Sequence, residues 1–289
     1  MKHTMIPLIT ASIAALLALP ACNGEAISNG DALAQAAPTE GDKAVAILNA
    51  GVRTELGEVK FLFDPIYDNH FGSLAEMTPS VTEAIVSGVA PYDAVDAVFV
   101  SHAHGDHFSA QHLNRLLAAQ SGVQLIAPAQ AIEAMQAHQL WQDGFADRVT
   151  SVTLENGADA MRFEIAGAQV EAIRTPHAGW PDRHAQVHNI TFRISAPSGA
   201  RVMHMGDADP AEEHFAPHST FFANARTGLA FVPFWFLNEE DADHLFDQTL
   251  NVEQPVGVHV PVSTPGFLSD GKWEFFSGEG QEVAVPATP

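Results

Sequence analysis

Three histidines and one aspartate occur within six residues in the segment His102-Ala-His-Gly-Asp-His107. Imidazole and carboxylate groups without thiolates suit a catalytic zinc or a similar first-row metal, whereas structural zinc sites favour cysteine. The segment directly follows the apolar, β-branched run 96–100, which predicts a buried strand. Such a strand delivers the histidines at its carboxyl end, where open α/β sheets place their ligand sites. The segment therefore predicts a metal site.

The spacing within this segment predicts how its ligands are shared. In extended backbone, residues two apart point the same way, so His102 and His104 can share one cation. Gly105 then permits a sharp turn. That turn frees Asp106 and His107 to face a second cation beside the first.

Three later predicted strands also end at residues of ligand type. The predicted strand 169–174 precedes His177, the strand 201–205 precedes Gly206-Asp207, and the strand 256–258 precedes His259. His184 and His188 lie in the same predicted loop as His177 and remain alternatives to it. The strand 59–63 ends in Asp64, which either forms a turn or hydrogen-bonds a metal ligand from behind.

The elements that must position these residues follow the pattern of a layered α/β domain. Predicted helices alternate with predicted strands in the first half of the chain, and most predicted elements from residue 149 onwards are strands. Two β-rich stretches, each accompanied by helices, permit a sandwich of two sheets with helices outside. The predicted helices are 79–86, 110–119, 129–141 and 239–249. The predicted strands are 44–48, 59–63, 96–100, 124–127, 149–154, 160–165, 169–174, 189–195, 201–205, 229–234 and 256–260.

Composition restricts the class of function. The composition, 46% hydrophobic and 17% charged, is typical of a globular protein. The length of 289 residues is sufficient for one large domain. The net charge of -22 argues against nucleic acid, which requires basic residues to neutralise phosphates. A small-molecule substrate is expected instead. The oligomeric state is left open.

The amino terminus predicts export. Lys2 and His3 precede an apolar run over 5–19, which is too short to span a membrane and has the form of a secretory signal peptide. Cys22 is the only cysteine and follows Leu-Pro-Ala, which resembles the lipobox of bacterial lipoproteins. We expect a signal peptide over 1–21, a lipid anchor at Cys22, a flexible tether over 22–42 and one folded domain over 43–289. The protein would then be periplasmic and would touch the membrane only through that anchor.

The combined motifs resemble the metallo-β-lactamase-fold hydrolase superfamily. The resemblance rests on His102-Ala-His-Gly-Asp-His107, a later loop histidine, Gly206-Asp207 and His259, in that order, with Asp64-Pro65 at the place of the family's first motif. It covers essentially the whole chain after the tether. The segments Phe231-Val-Pro-Phe-Trp-Phe236 and His259-Val-Pro261 are most similar to the lactonase-like and phospholipase-D-like branch. The site has no cysteine and has Asp207 instead, which departs from true zinc β-lactamases and argues against antibiotic hydrolysis.

This resemblance implies an αββα sandwich with a dinuclear metal site. It assigns His102, His104 and His177 to one metal, Asp106, His107 and His259 to the other, and Asp207 to a bridge between them. Zinc is the expected metal, with manganese or iron as alternatives. The implied activity is hydrolysis of a small ester, lactone or phosphodiester by a metal-bound hydroxide that Asp106 orients.

Two further expectations concern the surroundings of this site. Trp180, Arg183, Trp235 and Phe236 are near the ligands in sequence and are candidate pocket walls, with ordinary packing as the alternative. A different class of function also remains open, a metal-binding or scavenging lipoprotein on a degenerate hydrolase fold.

Overall fold

The protein folds as two β-sheets packed face to face with helices on both outer surfaces. The structure, a computed structural model, describes residues 41–286 and Thr288. Each sheet has seven strands. The four layers are therefore helix, sheet, sheet and helix, which confirms the predicted αββα sandwich.

The first sheet has the strand order β14-β1-β2-β3-β4-β5-β6. Strands β3 to β6 run parallel, whereas β14, β1, β2 and β3 pair antiparallel. The parallel strands therefore end at one common edge. Their bounds are β1 Lys43–Ala46, β2 Val52–Leu56, β3 Val59–Phe63, β4 Ala97–Phe99, β5 Gln124–Pro128, β6 Val149–Val152 and β14 Glu282–Ala284.

The second sheet has the order β13-β12-β11-β10-β9-β8-β7. Strands β10 to β13 are parallel, and β9 runs antiparallel between β10 and β8. Strands β8, β10 and β12 consequently share one direction. The bounds are β7 Met161–Ile165, β8 Ala168–Arg174, β9 Ile190–Ser195, β10 Arg201–His204, β11 Thr227–Pro233, β12 Val252–Val258 and β13 Glu274–Phe275.

Helices cover the outer face of each sheet. Thr78 and Ser109 cap the first two helices by accepting hydrogen bonds from the backbone N–H groups of Val81 and His112. A π-turn over Leu245–Thr249 continues the fifth helix. The helices are α1 Pro79–Ser87, α2 Ala110–Ala119 and α3 Ala129–Ala137 on the first sheet, and α4 Ser219–Ala223 and α5 Ala242–His244 on the second.

Apolar side chains fill all three gaps between these layers. Phenylalanines from both sheets meet in the central gap, where Phe63 stacks on Phe99 and Phe99 contacts Phe192. The outer gaps hold the apolar faces of α1 to α3 on one side and of α4 and α5 on the other. The loops at the ends of the strands are therefore attached to closely packed, rigid elements.

Three sequence predictions differ from the structure. The polar segment before Gly57 is a full strand, β2, and Gly57 forms the turn into β3 with φ = 64°. The predicted helix 239–249 is broken into short α and π segments. The predicted helix 129–141 ends earlier, at Ala137.

No helix in residues 41–286 is both long and apolar enough to cross a membrane. The predicted signal peptide, Cys22 and nearly all of the predicted tether lie outside the described residues.

Candidate metal centre

Seven side chains of ligand type converge where strands of both sheets end. The segment 102–107 follows β4, while His177, Asp207 and His259 follow β8, β10 and β12. They form two groups, and within each group one ligand-type atom per residue lies within 4.8 Å of all the others. The first group is His102, His104 and His177, and the second is Asp106, His107, Asp207 and His259.

Local hydrogen bonds set the direction of the rings in the first group. The Nδ1 atom of His102 lies 3.0 Å from Oγ of Ser101, and Nδ1 of His177 lies 3.0 Å from the carbonyl oxygen of Ala178. The Nε2 atoms of His102 and His177 are buried and have no hydrogen-bond partner within the described residues. Both rings therefore present a free nitrogen to the interior of the group.

Asp207 connects the two groups. Its Oδ1 atom lies 3.1 Å from Nε2 of His107, outside hydrogen-bond geometry, and its Oδ2 atom lies 3.5 Å from Nε2 of His259. The same Oδ2 atom is 3.6 Å from Nε2 of His177 in the first group. The second group is closed by Nε2 of His259, which is 3.0 Å from Oδ2 of Asp106.

Asp64 lies behind the second group, at the end of β3. Its Oδ1 atom accepts a hydrogen bond from the backbone N–H of Ser101 at 2.7 Å. Its Oδ2 atom accepts one from the Ser101 hydroxyl at 2.5 Å and contacts Nδ1 of His107 at 2.8 Å. Because Asp64 occupies Nδ1 of His107, the Nε2 atom of that ring faces Asp207.

Asn189 and Gly206 hold the turn that carries Asp207. The Oδ1 atom of Asn189 accepts from the backbone N–H of Asp207 at 3.0 Å, and its Nδ2 donates to the carbonyl of Met205 at 3.0 Å. Gly206 has φ = 55°, and a Cβ there would lie 2.3 Å from Oδ1 of Asn189 and 2.6 Å from Cβ of Ser101. Only glycine fits between these neighbours.

Asn49 joins the loops that carry Asp106 and His259. Its Nδ2 donates to the backbone carbonyl of Asp106 at 2.7 Å, and its own carbonyl accepts from the N–H of His259 at 3.0 Å. Both Asn49 and His259 have left-handed backbone, with φ of 54° and 62°. The sequence reasoning missed Asn49 and Asn189, because each acts through contacts to residues distant in the chain.

Burial and neighbouring charges set the protonation of the centre. Burial, reinforced by His107, lowers the pKa of His102 well below its usual value, and burial with His177 lowers that of His104 to about 4. Burial opposes ionisation of Asp207, but His107 and His259 hold the pKa of its carboxyl well below the usual range. Burial likewise favours neutral His107, but Asp207 and Asp64 outweigh it and raise the pKa of that imidazole well above its usual value.

These features fit divalent cations. Neutral imidazoles and ionised carboxylates are the forms that ligate metals, so the lowered pKa values of His102, His104 and Asp207 favour binding, whereas His107 would release a proton when a cation binds. Nε2 of His102, His107 and His177 and Oδ1 of Asp207 lack hydrogen-bond partners within the described residues. Buried polar atoms without partners are costly, and cations would satisfy all four. The donor set of nitrogen and carboxylate oxygen suits zinc, manganese or iron.

The alternative loop histidines occupy different positions. The ring of His184 lies 5.1 Å from that of His104 and 4.7 Å from that of His177, but it is not a member of either group. The backbone N–H of His188 donates to Gln130, outside both groups. His177 is the loop histidine that the structure groups with His102 and His104.

The four candidate wall residues occupy different environments. Trp235 lies edge-on to His259 with ring centroids 5.4 Å apart, and its Nε1 donates to the carbonyl of Ala208. Phe236 is buried in the outer core of the second sheet. Trp180 instead contacts His214 beside a cavity of about 350 Å³, and Arg183 is exposed in the same loop.

Residues 59–261 match a family model described as the β-lactamase superfamily domain. The match spans more than half of the chain and contains all seven side chains of the two groups. The chain therefore belongs to this family. A comparison with curated protein sequences gave no match.

Solved structures with the same fold include proteins described as hydrolases. Igni18, a metallo hydrolase from Ignicoccus hospitalis, aligns with a TM-score of 0.53 at 16% identity, covering 84% of this chain and 97% of its own. A possible metal-dependent hydrolase from Veillonella parvula aligns at 0.56 and 13%, covering 84% and 99%. An isothiocyanate hydrolase from Delia radicum gut bacteria aligns at 0.55 and 15%, covering 86% and 100%. At such identities the likeness shows the fold alone.

Proposed function

We propose that this protein is a metal-dependent hydrolase of a small ester, lactone or phosphodiester. The observation that carries the proposal is the pair of ligand groups with Asp207 between them, whose unpartnered nitrogen and oxygen atoms converge. The structural neighbours described as metal-dependent hydrolases support this class of activity. We further propose that the protein belongs to the lactonase-like and phospholipase-D-like branch, on the similarity of the segments that contain Trp235 and His259.

In this proposal each group holds one divalent cation, with zinc expected first. The residues for one cation are His102, His104 and His177, those for the other are Asp106, His107 and His259, and Asp207 serves both. When bound, the cations supply Lewis acidity, which activates water at neutral pH and stabilises negative charge on the substrate.

The chain's own residues orient the water and move its proton. The hydrogen bond from His259 and the charge of His107 outweigh burial and lower the pKa of Asp106, so its carboxylate is ionised at neutral pH. That carboxylate can accept a hydrogen bond from the attacking water and receive its proton at an Oδ atom. Asp64 keeps the ring of His107 in one orientation while this transfer takes place.

A substrate panel tests the proposal. The zinc-loaded protein is assayed on chromogenic esters, lactones, phosphodiesters and β-lactams, and the metal content is measured on the same sample. We expect about two metal ions per chain and hydrolysis of at least one of the first three classes. His102→Ala and Asp106→Ala should abolish that activity, whereas His244→Ala, a change at an exposed histidine, should not.

The result also separates the enzyme from a metal scavenger. A scavenger would release its ions to a weak chelator and would hydrolyse nothing in the panel. Retained hydrolysis in both His102→Ala and Asp106→Ala would contradict the proposed mechanism.

We also propose that the protein acts in the cell envelope as a lipoprotein anchored at Cys22. The support is the sequence of residues 1–22 alone. Globomycin, which blocks the lipoprotein signal peptidase, should make an unprocessed precursor accumulate. Unchanged processing would rule out the lipid anchor.

A further inference from the structure

The loop between β8 and β9 carries an arginine whose side chain has no partner within the described residues. The sequence has 13 lysines and arginines against 35 acidic residues, and all of the basic ones except Lys2 lie in residues 41–286. In that part of the chain every other lysine or arginine side chain donates to a carboxylate, a hydroxyl or a carbonyl oxygen. Arg183 is the exception. Its guanidinium is therefore available to an anion from outside the chain.

The position of this guanidinium is defined by Gly179. A Cβ at Gly179 would lie 3.2 Å from both Nε and Nη2 of Arg183, so the guanidinium packs over the backbone at a place where only glycine leaves room. The N–H of Arg183 also donates to the carbonyl of Gly179 at 2.8 Å. The cation therefore lies against the segment that follows His177, a residue of the first ligand group.

The next residue, His184, contacts the same segment from the side of the metal centre. Its ring centroid is 4.7 Å from that of His177 and 5.1 Å from that of His104, and the latter two rings are 4.7 Å apart. The ring of His184 is half-buried, belongs to neither ligand group and makes no hydrogen bond within residues 41–286. A third imidazole with an unused donor thus lies beside two of the proposed ligands.

The loop that carries both residues is fixed at each end. The N–H of Ala178 donates to the carbonyl of Asp207 at 2.8 Å. At the other end, Gln130 of α3 donates from Nε2 to the carbonyl of Gln186 at 2.8 Å and accepts from the N–H of His188 at 2.9 Å. Because elements of both sheets hold this loop, a ligand would find Arg183 and His184 already placed.

We infer that Arg183 and His184 bind the anionic oxygens of a phosphodiester, next to the first ligand group. The inference rests on the proposed function and selects the phosphodiester from its three substrate classes. Guanidinium N–H groups form charge-assisted hydrogen bonds with phosphoryl oxygens, and a neutral imidazole adds one further donor. Uncharged esters and lactones offer no charge to Arg183. Since the net charge of -22 repels anions at a distance, an anionic substrate requires such local cations.

A pair of phosphate esters that differ in charge tests this inference without hydrolysis. Dimethyl phosphate, an anion, and trimethyl phosphate, its uncharged counterpart, are titrated against the zinc-loaded protein by calorimetry. Wild type should bind dimethyl phosphate more tightly. Arg183→Gln should weaken dimethyl phosphate binding about tenfold with little change for trimethyl phosphate, and Arg183→Lys should retain part of the affinity.

Each variant has a matched control. Lys272→Gln removes the same charge from an exposed lysine that pairs with Asp243, and it should bind dimethyl phosphate like wild type. His184→Gly removes the ring and suits the left-handed backbone, with φ = 60°, and should weaken binding about fivefold. Ala185→Gly adds the same backbone freedom to the same loop and should match wild type.

Three results would overturn the inference. The first is unchanged dimethyl phosphate affinity in Arg183→Gln. The second is equal weakening of both phosphate esters in that variant, which would mean general damage to the loop. The third is loss of a zinc ion in His184→Gly, because His184 would then be a metal ligand.

Hydrolysis distinguishes failure of this inference from failure of the proposed function. Arg183→Gln should lower kcat/KM for bis(p-nitrophenyl) phosphate about tenfold and leave p-nitrophenyl acetate at the wild-type value. Dimethyl phosphate binding that depends on Arg183, without hydrolysis of any substrate, would support the anion site and contradict the proposed function. Hydrolysis of uncharged esters alone, at equal rates in wild type and Arg183→Gln, would support the proposed function and overturn the inference.

Discussion

Asp64 illustrates how one buried carboxylate can orient several groups of the candidate centre. It is 1% exposed and bonds to the N–H and hydroxyl of Ser101 and to Nδ1 of His107. Ser101 in turn contacts Nδ1 of His102. The side chain of Asp64 therefore influences a ring in each of the two groups.

Replacing this carboxylate should weaken metal binding. In Asp64→Asn a neutral amide, one of whose two groups is itself a donor, faces the donors of Ser101 and His107. The ring of His107 therefore loses a charge-assisted hydrogen bond. We expect metal affinity to fall by roughly 10- to 100-fold and the free energy of unfolding by about 2 kcal/mol. Competition with a chromophoric chelator measures the first and urea denaturation the second. Asp68→Asn, at an exposed carboxylate in the same loop, should change neither.

The sequence predicts the residues that bring the chemistry and one residue that positions them, Asp64, but it does not predict the two asparagines that also position them. His102 to His107 stand out because four ligand types occur together after a strand, and Asp64 because it ends one. Asn49 and Asn189 carry no such signal. Their amide groups act on backbone atoms of residues distant in the chain, and that relation exists only after the sheets have packed.

At the scale of elements, the turn after β10 depends on a missing side chain. Gly206 combines a left-handed backbone with neighbours that leave no room for Cβ. Gly206→Ala should therefore destabilise the fold by roughly 2 to 3 kcal/mol and displace Asp207. Urea denaturation measures the loss. Gly122→Ala is the control, since a Cβ there meets nothing within 4 Å, and it should stay within about 0.5 kcal/mol of wild type.

The turn between β1 and β2 offers a second test at this scale. Asn49→Gly keeps the left-handed backbone but removes the amide that donates to Asp106. We expect the group of Asp106 and His259 to bind its cation about tenfold more weakly, measured by chelator competition.

Asn251→Gly is the matched control for that variant. Asn251 also has left-handed backbone, with φ = 52°, and its amide donates to the carbonyl of Phe222, away from both ligand groups. Asn251→Gly should lower the free energy of unfolding about as much as Asn49→Gly does, while its metal affinity stays at the wild-type value. Equal metal affinity in both variants would contradict a positioning role for Asn49.

Elements with a clear hydrophobic period were predicted well, and short or polar ones were not. Helices α1 and α2 begin at the predicted residues, Pro79 and Ala110. Strand β2 was missed because Arg53, Thr54 and Glu55 gave it a polar composition, although Arg53 and Thr54 are buried between partner strands. The short edge strands β13 and β14 exist through pairing with neighbours, which local sequence does not encode.

For the whole molecule, the ligand set belongs to both sheets. The segment 102–107 extends from the first sheet, and His177, Asp207 and His259 extend from the second. Cations bound by both sides would therefore stabilise the packing of one sheet on the other.

Removing metal should accordingly lower thermal stability. Cations that bind only the folded state add about 2.7 kcal/mol per site at a free concentration 100 times Kd. We expect Tm to fall after treatment with a chelator and to recover with Zn²⁺ but not with Ca²⁺, which prefers oxygen ligands. Differential scanning calorimetry measures both steps. An unchanged Tm in all three states would indicate that the groups bind no cation.

The αββα sandwich was predicted by the family resemblance, and the order of the elements was compatible with it. Alternating helices and strands, followed by a β-rich half with its own helices, permitted two sheets with outer helices. The strand order within each sheet was not predictable, because pairing depends on contacts between distant strands such as β1 with β14.

The distribution of the ligands along the chain has a consequence for biosynthesis. A nascent chain emerges with its amino terminus first, so the group of His102, His104 and His177 is present well before His259 has been made. The group of Asp106 and His107 gains Asp207 after β10 but lacks His259 until β12 has been synthesised. A chain stalled on the ribosome before residue 259 would therefore have a complete first group and an incomplete second one, and we expect a cation in the second group to be loaded late in maturation.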